Sequence, residues 1–311
     1  MDLSTEICGL KINPAWMNAS GVLSQPQIIR RICDYEIGAF VTKSTGLKPR
    51  EGFYEPVVYH DGKITLNSFG LANPGAEETR EELMEIYPEI HALHKSLVAS
   101  VFGENEYELV AVATRLEDCS DAIELNYGCP NKKEGEKFGM TIGRDPDLVK
   151  AYTRAVKDKV KKPVIVKLTP NVSDIGIIAE AAEKAGADAI SAINTIAPAT
   201  KLDLFSGNYV LSNKTGGLSG PSVKPVGIAA VRKIYDSVKI PIIGGGGIKK
   251  AEDVIEYFKA GSSCVFIGSA LANKSTESVG RYFSNLRTDV EEILEKMNVS
   301  SIRELTGSEN D

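Results

Sequence analysis

Cys129 stands in Asn126-Tyr-Gly-Cys-Pro-Asn131, a polar turn that follows a short apolar run. Behind it lies Lys132 to Arg144, with three glycines and no apolar period, a composition suited to a loop that closes over substrate. A thiol on such a turn, beside a proline, is placed for chemistry rather than for packing. Lys43 and Lys167 each end an apolar run, and in Val164-Ile-Val-Lys167 strand alternation points Lys167 to the same side as Ile165. A lysine turned into an apolar interior needs an anionic partner, and a Schiff-base lysine would be one use of it. Asn18, Asn67, Asn126, Asn131 and Asn194 recur near such run ends. Asparagine is depleted in strands, so a set of them suggests amides that read a flat polar edge such as that of a pyrimidine. Gly244-Gly-Gly-Gly-Ile248 and Ile267-Gly-Ser-Ala-Leu271 place small residues between a strand and a helix, where backbone N–H groups favour a phosphate.

These residues need a scaffold that brings run ends together. Eight short runs rich in β-branched and small apolar residues alternate with stretches of helical period: Ala15 to Ala19, Ala39 to Lys43, Leu97 to Phe102, Ala122 to Asn126, Val164 to Leu168, Ala189 to Asn194, Ile240 to Ile243 and Cys264 to Ile267. Eight β-α units predict an α/β fold, a (β/α)8 TIM barrel over residues 1–311 as one domain, with the chemistry at the carboxyl ends of the strands. A doubly wound open sheet is the alternative. Pro56 to Leu66 alternates around Asp61-Gly62 and predicts a small antiparallel hairpin insertion. Ala197 to Lys224, rich in Gly, Ser, Asn and Pro, reads as a long binding loop, and Gly307 to Asp311 as a frayed tail.

Composition narrows the chemistry. The chain has 311 residues, 36 Lys and Arg against 42 Asp and Glu, and a net charge of −6, which argues against nucleic acid or an anionic membrane as a partner. No apolar run reaches the ~18 residues of a membrane span, and the start lacks the basic and apolar regions of a signal peptide, so a cytoplasmic protein is expected. Cys8, Cys33, Cys119, Cys129 and Cys264 are widely spaced with no CxxC pair, against a zinc site, a disulfide framework or an iron-sulfur cluster in this chain. His60, His91 and His94 are too few for a histidine-rich metal centre, so no metal is expected.

In order along the chain, Asn18-Ala-Ser-Gly, Thr42-Lys-Ser-Thr, Leu66-Asn-Ser-Phe-Gly-Leu-Ala-Asn73, Glu124-Leu-Asn-Tyr-Gly-Cys-Pro-Asn131, Val166-Lys-Leu-Thr-Pro-Asn171, Asn194-Thr, Gly216-Gly-Leu-Ser-Gly-Pro221, Ile243 to Ile248 and Ile267-Gly-Ser resemble the dihydroorotate dehydrogenases, FMN-dependent barrels of pyrimidine synthesis. A cysteine at the base position resembles the soluble class 1 enzymes. Lys167-Leu-Thr-Pro-Asn-Val-Ser-Asp-Ile and Thr215-Gly-Gly-Leu-Ser-Gly-Pro resemble the class 1B catalytic subunit, whose partner carries FAD and an iron-sulfur cluster. Two departures stand out. Gly128 replaces the serine common before the cysteine, removing a hydroxyl that would tune the base. The loop from Cys129 to Asp145 looks extended, as in dihydropyrimidine dehydrogenases, although Asn131 stands where those have histidine.

The resemblance implies oxidation of (S)-dihydroorotate to orotate, with loss of a proton from C5 to Cys129 and of a hydride from C6 to the FMN N5. Lys43, Asn67, Ser68, Phe69, Gly70, Leu71, Asn126, Asn131, Asn194 and Thr195 would contact the substrate. Ala19, Ser20, Lys43, Ser44, Asn126, Lys167, Ile193, Gly220, Gly246, Gly247, Gly268 and Ser269 would hold FMN, the last four near its phosphate and Lys167 near N1/O2 of the reduced ring. A homodimer, or a heterotetramer with the electron-transfer subunit, would follow, and fumarate, NAD through that subunit, or another oxidant would accept the electrons. The rivals are a uracil-reducing dihydropyrimidine dehydrogenase, a dihydrouridine synthase with a basic RNA-binding extension, and a flavin-free lyase or isomerase.

Overall fold

A computed structural model describes residues 1–131, 135 and 138–308. The chain opens with an antiparallel pair, β1 (Thr5–Ile7) and β2 (Leu10–Ile12), and continues with β3 (Trp16–Asn18) and β4 (Ala39–Val41). A second hairpin follows, β5 (Val58–His60) and β6 (Thr65–Asn67), then β7 (Ser96–Val101), β8 (Ala122–Asn126) and β9 (Val164–Leu168). The last strands are β10 (Ala189–Ala192), β11 (Ile196–Ala199), β12 (Gly216–Ser219), β13 (Ile242–Gly244) and β14 (Cys264–Ile267).

Eight of these, β3, β4, β7, β8, β9, β10, β13 and β14, close into a parallel barrel, each at one of the eight apolar runs. Strands covered on both faces carry no polar-out alternation, which is why the runs read as nearly continuous apolar segments. Their outward residues, among them Ala99, Leu125, Val166 and Ile190, join the inward stripes of the helices in one core. The helix Pro146–Lys157 shows how sequence sets such an element. Asp145 caps it by accepting from the Asp147 and Leu148 N–H groups, Pro146 opens the first turn, and Val149, Thr153 and Val156 face inward. Thr153 Oγ1 donates to the Tyr127 hydroxyl at 3.3 Å, so this helix anchors the turn that carries Cys129.

Two features differ from the sequence reading. β1 and β2, which the repeat count passed over, form a hairpin around Cys8 and Gly9, both at positive φ (53° and 80°), as a two-residue turn requires. Ile7 and Ile12 plug the barrel from below, joining Met17, Ala122 and Ile165. The segment expected as a long loop, 197–224, instead supplies most of β11 and all of β12. Those strands extend the predicted hairpin into a four-stranded antiparallel sheet, β11-β12-β6-β5. β12 begins Gly216-Gly217 because side chains have no room there: a Cβ on Gly217 would overlap the Thr195 hydroxyl. A glycine strand has no alternation to read.

Candidate active site

Register builds the site. β7 pairs Ser100 with Glu124 on β8, β8 pairs Asn126 with Lys167 on β9, and β9 pairs Lys167 with Ser191 on β10. A polar belt therefore crosses the barrel interior one step above the apolar plug. Glu124 is the anion that Lys167 needed: the Lys167 Nζ lies 3.5 Å from its Oε2, with side chains 6% and 4% exposed. Nζ also lies 4.1 Å from the centroid of the Phe266 ring, a cation–π contact. From Glu124 a chain of hydrogen bonds climbs toward the mouth. The Ser100 hydroxyl donates to Glu124 Oε1 at 3.0 Å and lies 2.9 Å from Ser44 Oγ. Asn126 Nδ2 donates to Ser44 Oγ at 2.8 Å, and Asn126 Oδ1 accepts from Asn194 Nδ2 at 3.1 Å. Glu124 was missed in the sequence, yet a carboxylate two residues before Asn126 in an otherwise apolar run was a readable signal.

Above the belt opens a cavity of about 390 Å3. The structure brings Ala19, Ser20, Lys43, Ser44, Asn67, Phe69, Gly70, Leu71, Asn126, Cys129, Asn131, Lys167, Ile193, Asn194, Thr195, Gly246, Gly247, Gly268 and Ser269 into its wall. Two expected residues are elsewhere. Ser68 is fully buried off the cavity, because strand alternation that turns Asn67 inward turns Ser68 away. Gly220 stands behind the wall, its carbonyl 2.8 Å from where a Cβ on Gly247 would sit. Asn18 is likewise spent on structure: its amide donates to the Val22 and Val41 carbonyls and accepts from the Val41 N–H. The cavity also gains Leu218 from the glycine-rich strand and Asn273 and Lys274 beyond β14. Nothing local in the sequence marks those last two.

Cys129 lies in the wall, 8% exposed and packed with Leu71, Phe102 and Phe138. The Met140 N–H donates to its carbonyl at 3.0 Å, fixing the turn from the far side. Of the loop expected to close over the site, residues 132–134, 136 and 137 lie outside the described residues, as do 309–311 of the expected frayed tail. Lys43 sits on the same wall, its Nζ 5.0 Å from the Phe69 ring centroid. Burial pushes the Lys43 ammonium below the usual lysine range, and negative charge at the Cys129 sulfur pushes it back up. Cys8 and Cys119 are pushed up to about 12, mainly by burial, and the Cys264 thiol is raised by burial as well.

At the other end of the cavity Gly246 and Gly247 take positive φ (131° and 78°), and a Cβ on Gly247 would lie 2.8 Å from the Lys224 N. A Cβ on Gly268 would come 3.3 Å from that of Ala19. Side chains are thus kept out of a backbone-lined end suited to an anionic group.

The model of the dihydroorotate dehydrogenase family matches residues 2–289. The chain belongs to that family. It is 38% identical over 310 residues to the dihydroorotate dehydrogenase B (NAD(+)) catalytic subunit of Methanothermobacter thermautotrophicus, covering 99% of each chain. The subunit of the same name from Pyrococcus furiosus is 39% identical over 308 residues, 99% of this chain and 98% of that one. That of Caldicellulosiruptor saccharolyticus is 39% identical over 313 residues and covers all of both. Dihydroorotate dehydrogenases of this family are FMN flavoproteins that oxidise dihydroorotate to orotate in pyrimidine biosynthesis, and both the TIM barrel and the family expectation stand. The cavity fits FMN: a side-chain-free end for a phosphate, a lysine charge at the base, and polar amides where a flat ring would lie. Among the described residues no helix is long and apolar enough to cross a membrane.

Proposed function

We propose that this chain oxidises (S)-dihydroorotate at the described cavity, with Cys129 as the general base that takes the C5 proton. FMN, when bound, supplies the hydride acceptor. Lys43, half-buried on the same wall and electrostatically coupled to the sulfur, supplies a positive charge that favours the thiolate. Asn67, Asn126, Asn131, Asn194 and Thr195 hold the substrate's polar edge, with Phe69, Gly70 and Leu71 closing over it. Asn131 is already tied to this group, donating to the Asn67 backbone oxygen at 3.1 Å and to its Oδ1 at 3.2 Å. Ala19, Ser20, Ser44, Ile193, Gly246, Gly247, Gly268 and Ser269 hold the cofactor, and Lys167 offsets negative charge on it. The observation that carries this reading is the convergence of Cys129, Lys43 and four asparagines on one cavity at the strand carboxyl ends, over a buried lysine.

The protein should purify yellow, and anaerobic dihydroorotate should bleach its flavin absorption. A colourless protein unable to take up FMN, or a flavin that dihydroorotate leaves oxidised, would remove the reading. We further propose that the chain works in the cytoplasm as one domain, the catalytic subunit beside a partner carrying FAD and an iron-sulfur cluster. The names of its relatives support this. NADH formation should then require that partner, and dihydroorotate should reduce the flavin without it.

A further inference from the structure

Gly128 lies between the two groups read as working parts, Asn126 and Cys129, and its backbone N–H donates to Asn126 Oδ1 at 3.2 Å. In the sequence its missing side chain reads as a lost hydroxyl beside the base. The structure shows what the glycine admits instead. A Cβ on Gly128 would overlap the Asn194 Cβ and come 2.7 Å from its Nδ2 and 2.9 Å from its Cγ. The clash falls at the root of Asn194, so a rotamer change at its tip does not relieve it, and the backbone on one side has to move. Asn194 is itself held at both ends: Nδ2 donates to Asn126 Oδ1 at 3.1 Å, and Oδ1 accepts from the Thr195 N–H at 2.8 Å. Asn126 Oδ1 thus gathers donors from Gly128 and Asn194, and its own Nδ2 is fixed by Ser44 at 2.8 Å.

We propose that Gly128 is a positioning residue for orotate recognition: the bare backbone there lets Asn194 approach Asn126, and the two amides are presented as one rigid pair. This rests on the reading of Asn126 and Asn194 as substrate ligands. Misplacing a paired amide weakens every hydrogen bond it makes to the ligand, whereas the phosphate end of the cofactor site is left alone.

The test is a double-mutant cycle on the FMN-loaded enzyme, read as the orotate Kd from the perturbation of flavin absorption. Gly128→Ala should keep FMN stoichiometry, raise the orotate Kd about tenfold and raise KM for dihydroorotate more than it lowers kcat. In an Asn194→Gly background the same change should cost less than twofold, because the Cβ it would displace is gone. An orotate Kd for Gly128→Ala within twofold of wild type, or effects that simply multiply in the double variant, would overturn the proposal. Should Gly128→Ala fail to accumulate, recovery of soluble flavoprotein in Gly128→Ala/Asn194→Gly supports it, and continued failure in that double variant overturns it. Wild-type enzyme that does not bind orotate at all would instead sink the orotate reading, so the two failures are told apart.

Discussion

The two halves of the barrel interior are built from the same strands and differ in almost everything else. Below, Met17, Val98, Ala122, Ile165, Ala189, Ile243 and Cys264 pack against Ile7 and Ile12 of the N-terminal hairpin. One inward position further along, Val98 gives way to Ser100, Ala122 to Glu124, Ile165 to Lys167 and Ala189 to Ser191, all buried. Alternation decides which side chains enter the barrel, and height along the axis decides whether they join the apolar plug or the polar belt. The polar half is tolerable because its charged and amide groups have partners, although the Ser191 hydroxyl is buried there without one. Lys167 has Glu124, Glu124 has Ser100, and Ser44 joins Ser100 to Asn126. Left unpaired in so dry a place, any of these groups would cost stability.

Four experiments would break or sharpen this contrast. Lys167→Met carries the largest expected effect, since it leaves the Glu124 carboxylate buried without its cation: a stability loss of about 3–5 kcal/mol by denaturation, with a lower flavin potential. Adding Glu124→Gln should recover most of the stability and none of the potential. If stability stayed low in the double variant, the pair would not be the reason for the loss.

Cys129→Ala comes next. It should keep FMN and orotate binding while slowing anaerobic flavin reduction by ~100-fold or more at pH 8, the usual scale for a lost general base. Cys129→Ser should keep part of the rate, shifted to higher pH, because a hydroxyl ionises less readily than a thiol. A wild-type rate in the alanine variant would move the proton to another group, Thr141 being the next hydroxyl along the same segment.

Asn126→Ala should weaken orotate by ~1–3 kcal/mol, the cost of leaving a buried polar edge unpaired, and lower the midpoint of thermal unfolding as well, because Ser44, Gly128 and Asn194 lose the amide they bond to. Orotate titration of the flavoprotein reads it directly, and unchanged affinity would take Asn126 out of recognition. Ile165→Val is the smallest test and belongs to the apolar half. It should cost ~0.5–1.5 kcal/mol of stability and leave the rate of flavin reduction alone. A clear kinetic effect there would show that the two halves are not separable.

The contrast also explains what could be read in advance. The apolar runs were legible because parallel strands buried on both faces carry a composition found almost nowhere else, and all eight fell on barrel strands. Cys129, Lys43 and most of the asparagines were legible as polar residues at run ends. The wider sheet at the mouth was not, since β12 opens on two glycines and pairs with β6 across about 150 residues of chain, as in Gly217 with Asn67. Ser68 and Asn18 misled for a related reason. Each has the right residue type at the right place in the chain, but a side chain turned to the wrong face or already committed to backbone groups.

The amino-acid sequence by itself therefore determined the eight β-α units, the end of the barrel at which polar groups gather and the kinds of group available there, because periodicity and composition are local properties. Only the tertiary structure decided which groups meet. Lys167 faces Glu124 through the β8–β9 register, Ser44 meets Asn126 across β7, and Asn194 approaches Gly128 so closely that no side chain fits between them. Those are contacts between residues distant in the chain, set by strand register and by the volume left when the barrel closes, and no local window of sequence contains both partners.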